Sequence, residues 1–136
     1  MTVSEHISDF LDFLTDAERD YSFCCEEQSE ADKDITDILH TFEFDGDKLS
    51  DSDYVKLGHA CSDARRRRRR AKDSIEALSG VVDYIGKHRE LRRQLEKLLS
   101  EIRKIEKRQE NRSYTPRGDI VQKTLADAEH EEEAQQ

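Results

Sequence analysis

The chain has 136 residues and a net charge of −9, with 34% hydrophobic against 40% charged residues. That length holds one modest domain, and that ratio excludes a thick core. No apolar run approaches the roughly 20 residues of a membrane span, and the acidic N-terminus lacks the basic start of a secretory signal, so the chain reads as a soluble cytoplasmic protein without a membrane partner.

A single proline, Pro116, and five glycines leave few interruptions before residue 113, and strand signals are nearly absent, so the expected fold class is all-α. A first helix is expected over about 3–43, opened by Thr2 and Glu5 at capping-box spacing. Along it Ile7, Phe10, Leu14, Ala17, Tyr21, Cys24, Gln28, Ala31, Ile35, Ile38 and Phe42 recur in alternating steps of three and four, a coiled-coil seam with Gln28 as its one polar member. Asp45, Gly46 and Asp47 then supply turn chemistry. A second helix, about 51–85, opens with Ser50 and Asp53 as another capping box. It repeats the seam as Tyr54, Leu57, Cys61, Ala64, Arg68, Ala71, Ile75, Leu78, Val82 and Ile85.

Folded back about the turn, the two seams meet in a near-constant antiparallel register. Phe42 meets Tyr54, Ile38 meets Leu57, Ala31 meets Ala64 and Phe10 meets Ile85, the two numbers always totalling 95 or 96. This register also sets Gln28 against Arg68, the polar member of each seam. Two readings stand: a buried Gln28/Arg68 layer that fixes the register, or an Arg68 whose stem fills the seam while its head reaches water.

The tract Ala64–Lys72 holds six consecutive arginines. In the antiparallel register Arg65 and Arg67 flank the seam level with Asp32 and Glu27, where cross-helix ion pairs are available. Arg66, Arg69 and Arg70 project outward, offset in part by Asp63 and Asp73 at i,i+3 and i,i+4 spacing. They form a basic patch, but the interleaved aromatics and basic domain charge of a nucleic-acid binder are missing, so nucleic acid ranks below protein as its partner.

A third helix, about 88–111, follows a bend at Gly86. Its stripe Leu91, Leu95, Leu98, Ile102 and Ile105 is out of phase with the earlier seam. Either it folds back into a three-helix bundle over Phe13, Leu11 and Val81, or it pairs with a second copy of the chain as a homo-oligomer. The domain is thus expected to run over 1–112. Residues 113–136, after Pro116 and Gly118, read as an acidic, partly disordered tail with one short apolar turn at Ile120, Val121 and Leu125.

Charge is segregated along the chain: residues 1–56 carry a net −13, 57–85 a net +3, 86–118 a net +6 and 119–136 a net −5. The outer face of the first helix holds Asp9, Asp12, Asp16, Asp20, Glu26 and Glu30, a row of carboxylates suited to a basic groove on another protein. Cys24, Cys25 and Cys61 form no CxxC pair, and His6, His40, His59, His88 and His130 form no HExxH motif, which speaks against a zinc site. With no phosphate loop and no nucleophile motif, neither a cofactor nor an enzymatic reaction is expected.

An acidic first helix, the tract ARRRRRRAKDSIEAL, a break near Gly86 and a basic third helix ending in RSYTPR together resemble a group of small all-helical proteins encoded by phages and prophages of Gram-positive bacteria. The resemblance spans about residues 4–117 and carries over no catalytic or binding residue. It implies a protein that binds and disables a host or defence macromolecule in the host cytoplasm. Rival expectations are a nucleic-acid-binding accessory protein using the arginines and helix three, and a virion assembly protein.

Overall fold

The computed structural model describes residues 1–135, and among these its regular elements are all helices, without strands. Four α-helices follow one another: α1 (Val3–Asp45), α2 (Asp51–Lys87), α3 (Glu90–Glu110) and α4 (Ile120–Gln135), with a 3-10 turn at Gly46–Lys48 between the first two. The count is one more than the three expected. Two compact units divide the chain, residues 1–102 and the remainder from residue 103.

Both expected capping boxes form, for the reason the spacing gives: a helix start leaves backbone amides without partners. The Glu5 amide donates to Thr2 Oγ1 at 3.3 Å, and the Thr2 amide to Glu5 Oε2 at 2.8 Å. Asp53 and Ser50 repeat the exchange at 3.1 and 3.0 Å. In the connecting turn the Tyr54 hydroxyl donates to the Gly46 carbonyl at 3.0 Å, while its ring stacks on Phe42 with centroids 5.2 Å apart. A Cβ on Gly46 would lie 2.6 Å from that hydroxyl, so a larger residue there would displace the Tyr54 side chain.

In the first unit α1 and α2 pack along one another. Every seam position is buried or half-buried except Phe10 and Tyr54, which are 45% and 40% exposed at the two ends. The innermost side chains are small. Ala17, Ala31, Ala64 and Ala71 are buried, together with Leu14 and Leu99, and among the described residues no large side chain is completely enclosed. Alanine layers let two helices approach closely, but each contributes little apolar area.

α2 runs through Gly86 and ends two residues later than expected, at Lys87. His88 leaves helical geometry with φ −121° and ψ 60°, its amide still bonded to the Tyr84 carbonyl at 3.0 Å. Glycine without a positive φ does not by itself stop a helix, and none here has one.

The apolar stripe of α3 also differs from expectation. Leu99 is its buried member, with Leu91, Leu95 and Ile102 half-buried, whereas Leu98 and Ile105 are each 43% exposed. A strict three-four alternation averages 3.5 residues per turn. A straight helix turns every 3.6, so a step of four from Leu95 keeps the buried row on one face. Phe13, expected beneath α3, stays 47% exposed and stacks on Phe10 at 6.3 Å.

In the second unit, α4 extends the short turn expected at Ile120 into a helix of 16 residues. Lys123 bridges Asp119 across one helical turn at 3.0 Å, the i,i+4 pairing that supports exposed helices. Its apolar residues Ile120, Val121 and Leu125 remain 70%, 46% and 61% exposed.

Candidate functional site

On a helix of 3.6 residues per turn, six consecutive residues point in every direction, so an arginine run cannot act as one surface. α2 divides its run into three groups. Arg67 faces one flank of α1, where its Nη2 lies 2.6 Å from Asp34 Oδ2 and its Nε 3.6 Å from Glu27 Oε2. The hydrogen bond that Arg67 donates to Asp34 holds its guanidinium above the usual arginine range, with the charges of Asp34, Glu27 and Glu30 acting in the same sense. Arg70 points to that flank too, lining a shallow groove with Phe23, Cys24, Glu27 and Ser74.

Arg68 occupies the seam, and its Nε donates to Asp32 Oδ1 at 2.5 Å. Its side chain is 38% exposed, and no hydrogen bond joins it to the half-buried Gln28 among the described residues. The head has reached outward to a carboxylate, as a long amphipathic side chain does when its stem alone is covered.

The remaining three, Arg65, Arg66 and Arg69, converge on the opposite flank. They line an open groove whose floor is Phe42, Gly58, Cys61 and Ser62. Arg66 approaches Asp63 at 3.9 Å, whereas Arg65 and Arg69 have no ion pair among the described residues. Two expectations are corrected here. Asp32 is taken by Arg68 and not by Arg65, and the basic patch joins Arg65 to Arg66 and Arg69 while Arg70 lies on the other flank. The i,i+4 spacing of Arg65 and Arg69 was the available signal for that grouping.

The acids of α1 divide in a similar way. Asp16 and Asp20 share Arg19 on their own helix, at 3.1 and 3.6 Å. Glu18 receives Arg92 Nη2 from α3 at 2.7 Å, a cross-helix pair that sequence spacing alone did not suggest. Asp9, Asp12, Glu26 and Glu30 are exposed and have no ion pair among the described residues. In their row stands Phe23, 60% exposed. Cys24 and Cys61 are half-buried thiols and Cys25 an exposed one.

Among the described residues no cluster of three or more His, Cys, Asp or Glu is placed to hold a metal ion, and no helix is long and apolar enough to cross a membrane. No protein-family model, no curated protein and no solved structure matches the chain.

Proposed function

We propose that this chain is a non-enzymatic binding protein: an antiparallel hairpin of α1 and α2 that presents the outer face of α1 to a basic surface on another protein. The observation that carries the reading is the stripe Asp9, Asp12, Asp16, Phe23, Glu26 and Glu30, which is exposed along its whole length. Its exposed carboxylates, of which Asp9, Asp12, Glu26 and Glu30 have no ion pair among the described residues, steer association with a cationic groove, and a protruding phenylalanine supplies the apolar anchor that charge alone lacks. A groove built to hold a nucleic-acid backbone fits best, its lysines and arginines meeting carboxylates where phosphates would lie. The resemblance to phage-encoded helical proteins favours a host or defence protein as the owner of that groove.

Recovery of partners by the tagged chain from a bacterial lysate tests the reading. The wild type should retain a basic protein that D12N/E26Q/E30Q recovers at least ~10-fold less well, with helicity unchanged and the difference shrinking as salt rises from about 50 to 300 mM. Equal recovery by both proteins would sink the proposal. A partner lost after nuclease treatment would instead select nucleic acid held by the arginines.

A further inference from the structure

On α2 the residues Asp51, Val55, Gly58, Ser62, Arg65 and Arg69 recur in steps of four and three, and so share one face. All but the half-buried Ser62 are exposed, Val55 at 59%. The face is graded, acidic at the start of α2, apolar and small around Gly58, and basic beyond. Arg65, Arg69, Asp51 and the neighbouring Asp47 all lack ion pairs among the described residues, although Arg67, Arg68 and Arg92 each find one.

Such a face is complementary to itself when turned end for end. Arg65 and Asp51 each stand seven residues from Gly58, Arg69 and Asp47 each eleven, and Val55 and Cys61 each three. Gly58 leaves room for such an axis: nothing lies within 4 Å of a Cβ built there, as at Gly80 and Gly86 of the same helix, so a second backbone can approach closely.

We propose that this face is the interface of a symmetric dimer. Two copies pack antiparallel along α2 with the two-fold axis at Gly58, and the arginines of each reach Asp51 and Asp47 of the other. Val55 of each copy seats in the groove floored by Phe42, Cys61 and Ser62 of the second copy. An axis placed at the arginines would set like charges together, and a nucleic-acid backbone laid along the same stripe would meet Asp51 and Asp47. A second copy is the occupant that satisfies both ends at once.

Sedimentation of the full chain at about 100 µM and about 150 mM salt tests this, with circular dichroism as the check on folding. The wild type should be dimeric. R65E/R69E and D47R/D51R should each dissociate at least ~10-fold more readily, because each sets like charges across the axis. Mixed one to one, the two variants should restore the dimer, since every pair across the axis is then opposite in sign. Independently, Gly58→Cys in a chain with Cys24, Cys25 and Cys61 changed to serine should oxidise to a disulfide-linked dimer. A wild type that stays monomeric, with or without duplex DNA on its arginines, overturns the proposal. So does a mixture no more dimeric than its components, or two variants that dimerise alone as well as the wild type.

Discussion

Arg67 reaches two carboxylates of α1 and Arg65 reaches none among the described residues, although both flank the same seam. Arg67→Gln should therefore lower the Tm, by no more than about 5 °C because the pair is partly solvated, while Arg65→Gln in the monomer leaves it unchanged. Thermal melts followed by circular dichroism compare them, and equal losses would show that Arg65 also serves the packing of α1 on α2. The raised Arg67 value supports folding at every pH below the arginine range and is lost only as pH climbs through that range, so melts near neutrality do not depend on its titration. That some arginines would answer acids of α1 was legible from the alternation of apolar positions. Which arginine answers which acid was not, because a guanidinium on a long stem chooses among carboxylates several ångströms apart, and Arg68 reached Asp32 ahead of Arg65.

At the scale of the element, α1 and α2 were readable to within two residues at each end, since their caps and apolar rows agree with one another. α3 was located correctly but its buried row was misread at one position: the adjacent leucines Leu98 and Leu99 leave the buried face open to two choices under a third of a turn apart. Leu99→Asp should cost about 2–5 kcal/mol by placing a charge among apolar neighbours, and Leu98→Asp less than about 1 kcal/mol. Urea unfolding measures both, and a larger loss at Leu98 would reverse the assigned face. α4 escaped sequence reading because its apolar residues Ile120, Val121 and Leu125 stay largely exposed. Its helix rests on backbone propensity and local pairs such as Asp119 with Lys123, which an acidic composition conceals.

For the molecule as a whole, composition foretold the meagre interior better than any motif foretold the arginine groove, because the ratio of apolar to charged residues limits burial wherever the chain folds. The alanine layers of the first unit turn that limit into a thermodynamic signature. Most large apolar side chains of the first unit are only half-buried and its innermost layers are largely alanine, so melting it brings less new apolar surface into water than melting a domain with a thick interior. Calorimetry of the monomer should then give a heat-capacity increment below the about 12–15 cal/mol/K per residue of globular domains, and a value at or above that range would mean a thicker interior than alanine provides. A small increment flattens the curve of stability against temperature. Cold would then loosen this protein less than it does one whose large side chains are completely enclosed.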